Sequence, residues 1–320
     1  MHGGEILMML KKIINKKVII AISLCLLAQQ SGWVNFANAT SLDTRKADLV
    51  YQLKGDNASD LSFPSDVSVN SRLIAVLDGG NHRVVVFDKK GHHLYSFGNY
   101  GSKAGEMNYP TGLFMNNGYI YVADSGNNRI QIYDIQGRYL NGFNVLRNGK
   151  SVRPIDVLVH SRSGRIIVTA NQSHNLIVYS PEGKLLQQWG GNGTNNGEFR
   201  YPATIAEMND GRIAVVDVLN TRVQVFDREG NFSMTISGWG VLQGQLIRPK
   251  GVAIDPDGNF YVSDSYMNVV QIFSETGEFK SVLGNGGKPY PMITPVGMAV
   301  DNNNLYVVEM RANRVSVYKL

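Results

Sequence analysis

Cysteine is almost missing from this chain: Cys25 is the only one in 320 residues. Disulfide staples are therefore excluded, and apolar packing alone has to hold a fold of this size. Long apolar runs are missing as well. The run at 18–28 is eleven residues, short of the roughly 20 that a membrane-spanning helix needs. No Gly-x-Ser-x-Gly elbow, no Gly-Lys-Ser/Thr phosphate cradle and no recurring pair of carboxylates is present, so the common linear signatures of hydrolases and nucleotide binders are absent. Asp255-Pro256-Asp257-Gly258-Asn259 begins like a calcium loop but lacks the downstream Glu, which leaves a hairpin turn.

What the chain does have is a period. Pro64, Pro110, Pro154, Pro202, Pro249 and Pro295 recur at spacings of 46, 44, 48, 47 and 46 residues. A repeat of this length belongs to a solenoid, a propeller or an array. Aligned on Asp78, Asp124, Ala170, Asp217, Asp264 and Glu309, the residues four and two before and six and eight after are apolar in every unit. Ile120, Val122, Ile130 and Ile132 are one such set. Period two marks strands with a buried face. An aromatic follows one residue on (Phe87, Tyr133, Tyr179, Phe226, Phe273, Tyr318), and four residues later a glycine closes a turn in five units. The intervening positions are apolar too, so each small sheet is covered on both sides, as in the radial blades of a β-propeller.

Counting strands predicts how the ring closes. The last unit ends after its third strand, and an orphan strand at 48–54 precedes the first. Residues 48–54 are expected to complete the sixth blade and remove an open edge.

The run Pro-x-Gly, then Tyr121-Val122-Ala123-Asp124, then Asn127-x-Arg129-Ile130-x-Ile132-Tyr133 and Gly137 resembles the NHL repeat, as do the Gly-rich loops ending Gly105-Glu106-Met107 and Gly197-Glu198-Phe199 before Pro110 and Pro202. The resemblance spans 48–320. No recurring Trp-Asp pair or kelch glycine pair competes with it. It implies an all-β, six-bladed propeller serving as a binding platform, with a minority of related propellers acting as enzymes.

Residues 1–39 stand outside the repeats. Lys11, Lys12, Lys16 and Lys17, the apolar run at 18–28 and Ala37-Asn38-Ala39 read as a secretory signal peptide cleaved before Thr40. Leu24 stands where a lipoprotein signal wants a small residue before its Cys. The chain is thus expected to be exported to the periplasm, cell surface or exterior, with 40–47 as a short lead-in and no transmembrane segment left. The full chain carries 31 basic and 26 acidic residues. Cleavage removes four Lys and Glu5, leaving 27 against 25, so the charge gives no footprint for nucleic acid. RNA binding, known among animal NHL proteins, also conflicts with export.

Three groups of side chains invite a role. The triplets Asp78/Asn81/Arg83, Asp124/Asn127/Arg129 and Asp217/Asn220/Arg222 place a carboxylate beside a guanidinium in a turn, which suits a structural clasp. The third unit lacks the triplet, the fifth has Val269 for Arg, and the sixth has Glu309 for Asp. His82 and His174 share one turn position, but a catalytic zinc takes about three protein ligands and the other units carry Asn128, Thr221, Asn268 and Asn313 there. No zinc or calcium site is therefore assigned. Phe63, Tyr109, Arg153, Tyr201, Arg248 and Thr294 precede the repeat prolines and are expected to ring one mouth of the channel. Aromatic and Arg side chains are what interface hot spots use. The reading is a monomeric, non-catalytic binding or scaffold propeller for a protein, peptide or glycan. Its rivals are a metal-assisted lyase or hydrolase and a plain structural role for the mouth aromatics.

Overall fold

The structure is a computed structural model that describes residues 42–56, 59–301 and 303–320. The expected signal peptide and its cleavage site lie outside the described residues. Each repeat forms one four-stranded antiparallel sheet. In blade 2 these are strand a (Gly112–Asn116), b (Tyr119–Asp124), c (Arg129–Asp134) and d (Tyr139–Asn144), from the axis outward. The a strands of the six blades are Asp66–Val69, Gly112–Asn116, Asp156–Val159, Pro202–Glu207, Pro249–Ile254 and Pro295–Val300, and each packs on the next all the way round.

The period-two residues behave as their spacing requires. Of the twenty-four aligned apolar positions only Ile132 is not fully buried. The alternate positions Ala75, Ile167, Ala214, Tyr261 and Tyr306 are buried too, because each blade is stacked between two others. The core is thus a set of apolar layers between blades, such as the one holding Leu61, Val76, Phe87, Tyr306 and Val317. Burial of each such side chain contributes about 1.5–3 kcal/mol before entropy is counted.

The ring closes as strand counting requires. Asp48–Leu53 lies antiparallel to Arg314–Lys319, with Leu49 opposite Tyr318 and Leu53 opposite Val315. Part of the lead-in also joins the ring. Thr44–Arg45 runs parallel to Phe279–Asn285, strand d of blade 5, and Arg45 Nη1 donates to the Tyr261 hydroxyl at 2.7 Å.

Candidate functional face and channel

Strand b meets strand c through a tight turn whose last residue is left-handed in every blade: His82, Asn128, His174, Thr221, Asn268 and Asn313 have φ between 52° and 58°. The loops from strand d to the next strand a end against these turns. Gly80 N–H donates to Ser62 O, Gly126 N–H to Asn108 O, and Leu219 N–H to Arg200 O. Turns and loops therefore form one face of the disc.

The triplets clasp that face. Asp124 is fully buried; its Oδ1 accepts Asn108 N–H at 2.7 Å, and its Oδ2 accepts from Asn127, Arg129 Nε and Gln131. Arg129 continues to the carbonyls of Ser102, Lys103 and Glu106, so it staples the loop at 98–110 to the blade. Asp217 with Arg222 repeats the device for the loop at 190–202, and Asp78 with Arg83 does so for the loop at 54–64, where Arg83 also reaches Asp56. Burial pushes the Asp217 carboxyl above its usual range in spite of Arg222. Blade 6 keeps the clasp with Glu309, which takes both Nε and Nη2 of Arg314 at 2.9 Å. In blade 5, Asp264 compensates for the missing Arg by accepting four backbone N–H groups, from Ile247, Arg248, Tyr266 and Met267.

A second clasp escaped the sequence reading. Gln131, Gln224 and Gln271 are buried and each grips its loop twice. Gln131 donates to Glu106 O and accepts Gly105 N–H, while Gln224 and Gln271 do the same at Glu198/Gly197 and Gln245/Gly244. The signal was visible as a Gln in the middle of strand c in three units.

The two histidines hold backbone. Tyr109 N–H donates to His82 Nδ1 at 3.0 Å and Tyr201 N–H to His174 Nδ1 at 3.2 Å. Asn313 and Asn268 accept from Phe63 and Thr294 N–H in the same way. Burial, with the nearby Arg147 and Arg200, holds the His174 pKa below its ordinary value. Among the described residues no group of three or more His, Cys, Asp or Glu is arranged to hold a metal ion.

The six residues before the prolines occupy equivalent places on this face. Phe63, Tyr109, Tyr201 and Thr294 are left-handed (φ 44° to 60°), an unfavourable conformation for bulky residues that their histidine and asparagine partners stabilise. Phe63, Tyr109, Arg153, Tyr201 and Arg248 are exposed and Thr294 is half-buried. Their ring contacts run to neighbouring turns and loops: Tyr109 stands edge-on to His82, Tyr201 edge-on to His174, and the Arg248 guanidinium lies over the Tyr266 ring at 5.8 Å. Among the described residues Arg153, Arg200 and Arg248 have no carboxylate partner. Lys54, Lys103, Lys150, Lys288 and Arg311 are exposed on the same loops and turns, whereas Asp60 is the one fully exposed acid among their described residues. The small net charge of the chain conceals a basic, aromatic face.

Behind the mouth lies the channel, a cavity of about 230 Å³ lined by strands a. Asp66 and Asp156 face it from blades 1 and 3, both buried. Asp66 accepts Val67 and Leu113 N–H, and Asp156 accepts Val157 and Ile205 N–H, so each carboxyl ties its blade to the next. Glycine makes the room: a Cβ on Gly112 would come within 2.6 Å of Asp156 Oδ1, and one on Gly297 within 2.4 Å of Asp66 Oδ1. Burial raises both pKa values, Asp156 to about 7 and Asp66 well above the usual range, where the Asp156 charge adds to the effect. Sequence reading missed this pair, although both stand two residues after a repeat proline in a shared Pro-x-Asp-Val-x-Val run, where three other units carry glycine.

A folded-state carboxyl with a raised pKa retains a proton that the unfolded chain releases. Stability is therefore expected to fall as pH rises from about 4 through about 7. Thermal melts of wild type and Asp156→Asn across that range test this. The wild-type curve should descend relative to the variant, and a difference that is flat or rises with pH would refute the assignment. Half-buried carboxyls with lowered pKa, such as Asp134 and Asp227, act with the opposite sign and below that window.

The fold and its clasped face define a class, a closed six-bladed β-propeller with a loop-built surface. Residues 52–145 match a family described as "6-bladed beta-propeller", and residues 246–273 match the NHL repeat. The protein is a six-bladed β-propeller that carries an NHL repeat. No curated protein matches the chain. Among solved structures it is similar to a streptogramin B lyase (16% identity over 84% of this chain and 87% of that chain, TM-score 0.61). It is similar to a catalytically inactive virginiamycin B lyase from Staphylococcus aureus with quinupristin (12%, 90% and 98%, TM-score 0.61). A gluconolactonase from Xanthomonas campestris is a third (14%, 85% and 88%, TM-score 0.62). At these identities the likeness is one of fold. Among the described residues no helix is long and apolar enough to cross a membrane.

Proposed function

We propose that the protein is an exported, non-catalytic binding or scaffold propeller whose loop face captures an acidic protein, peptide or glycan. The observation that carries this reading is the co-occurrence on one face of exposed Tyr109 and Tyr201 with exposed, carboxylate-free Arg153, Arg200 and Arg248. An unpaired guanidinium beside an aromatic can stack and still donate to carboxylate or sulfate oxygens. The clasps hold the loops rigid, so little ordering entropy is lost on binding. Arg153→Ala and Arg248→Ala should each weaken capture of the partner by about 1–3 kcal/mol, with added salt weakening the wild type in parallel. Among the described residues neither Arg side chain has a hydrogen-bond partner, so the melting temperature should hold. Lost stability with capture intact would make these residues structural covers instead.

A second reading rests on the channel. Asp66 and Asp156 are two buried carboxyls with raised pKa facing one cavity, an arrangement that suits proton transfer. The lyase and lactonase folds among its structural neighbours favour it. The cavity is smaller than the about 300–1,000 Å³ of ordinary small-molecule pockets. Metal analysis of the purified protein bears on the metal-assisted form of this reading, which a stoichiometric bound ion would favour.

A further inference from the structure

Three loops of the face share one backbone design. They run at 98–110, 190–202 and 237–249, and their isolated bridges Tyr100–Met107, Asn192–Phe199 and Trp239–Leu246 correspond one to one. Each is gripped by a buried Gln from strand c. Each also folds the side chain of Glu106, Glu198 or Gln245 back to accept the N–H of Lys103, Asn195 or Leu242. The tips differ. Two read Ser102-Lys103-Ala104 and Thr194-Asn195-Asn196, and the third reads Val241-Leu242-Gln243. Trp239, Val241 and Leu242 are 76%, 72% and 68% exposed. The sister loops keep the same geometry with Tyr100 (66% exposed) or Asn192 in place of Trp239 and without the aliphatic pair, so the fold does not require this apolar finger. Three adjacent large apolar side chains held in water cost solubility unless something covers them.

The start of the described chain lies at the same finger. Asp43 N–H donates to Gln243 Oε1 at 3.4 Å, and Thr44–Arg45 then pairs with blade 5. The sequence that precedes it carries four lysines and the apolar run at 18–28. Exposed cations on the same face, Arg200 and Arg248 among them, suit anionic headgroups, and Trp with aliphatic neighbours suits the interfacial zone.

We propose that the finger formed by Trp239, Val241 and Leu242 docks the propeller onto an anionic lipid bilayer. This goes beyond partner capture at the mouth, because none of the three precedes a repeat proline or contacts the mouth histidines.

The test uses residues 40–320. Leu42–Leu320 is a compact unit with its own closed ring and core, so this part folds on its own. It contains only two tryptophans, Trp189, which is 7% exposed, and Trp239, so a change in emission reports on the finger. With phosphatidylcholine vesicles containing phosphatidylglycerol, the emission should shift to the blue and the protein should float with the lipid. A variant carrying the sister tip (Trp239→Asn, Val241→Thr, Leu242→Asn, Gln243→Asn) should lose at least ~10-fold in partitioning with an unchanged melting temperature. Equal partitioning of the variant, or no shift and no flotation of the wild type, would overturn the proposal. So would a dimer, seen by ultracentrifugation without lipid and abolished by the same substitutions, since the finger would then be covered by a second copy.

Discussion

Removing residues 40–55 should lower the stability of the propeller by several kcal/mol and drive it to associate. The deletion takes away strand d of blade 6, including every ladder bond between Asp48–Leu53 and Arg314–Lys319. It also uncovers Phe279–Asn285 on blade 5, which Thr44–Arg45 covers. Leu53 leaves its layer among Val315, Val317 and Leu61, a loss of about 2–5 kcal/mol by itself for a buried leucine truncated to alanine. Two bare sheet edges then offer unpaired N–H and C=O groups to other chains. Thermal unfolding and sedimentation of the truncated protein check this. An unchanged melting temperature in a monomer would mean that the ring is closed in some other way.

Asp124→Ala should be the most damaging single substitution on the loop face. The fully buried carboxylate takes bonds from Asn108 N–H, Asn127, Arg129 and Gln131, and all four donors lose their acceptor at once. Breaking a buried ion pair from one side costs about 3–5 kcal/mol, chiefly because a charge is left uncompensated. Arg129 keeps the carbonyls of Ser102, Lys103 and Glu106, which places the result toward the lower end of that range. Denaturant unfolding gives the number. A loss below about 1 kcal/mol, the scale of an exposed pair, would show that the clasp contributes little. Arg129→Met alone should cost less than Asp124→Ala, since blade 5 already dispenses with the Arg and satisfies Asp264 through backbone N–H groups.

Blade 3 shows why the clasp is not universal. Its incoming segment is a small hairpin, Leu146–Arg147 against Lys150–Ser151, in place of a Gly-rich loop. This hairpin satisfies part of its own backbone and Arg147 Nη1 donates to Ser173 O, so it is held with Ala170, Ser173 and Asn175 in place of the triplet. The short hairpin at 284–289, by contrast, leads into a blade that keeps its clasp. The departures noted in the sequence thus have separate physical origins: a hairpin held through Arg147 in blade 3 and a backbone nest in blade 5.

The fold was readable because a propeller repeats its simplest rule. Alternation at fixed spacing named the strands, and the orphan at 48–54 named the closure. The site was readable only in part. That the residues before the prolines share a face follows from the period, but the imidazole of His82 meets the N–H of Tyr109 twenty-seven residues on only because the turn is left-handed. Asp66 and Asp156 align with Gly112, Gly251 and Gly297 in other blades, so the repeat itself hides them. The basic face is invisible to a sum of charges, since its loops alternate along the chain with hairpins that carry acids such as Asp227, Glu275 and Glu278. The finger at Trp239 becomes informative only beside two sister loops that share its backbone and lack its apolar tip.

The central claim, that the loop face captures a partner, is tested most directly by hydrogen exchange on the propeller with and without a partner recovered from the exported fraction. Protection should gather in the loops at 98–110, 145–154, 190–202 and 237–249, and in the turns that carry His82 and His174. The opposite hairpins, at 88–92, 134–138, 227–231 and 274–278, should exchange as before. Protection confined to those hairpins, or to the channel strands bearing Asp66 and Asp156, would contradict it.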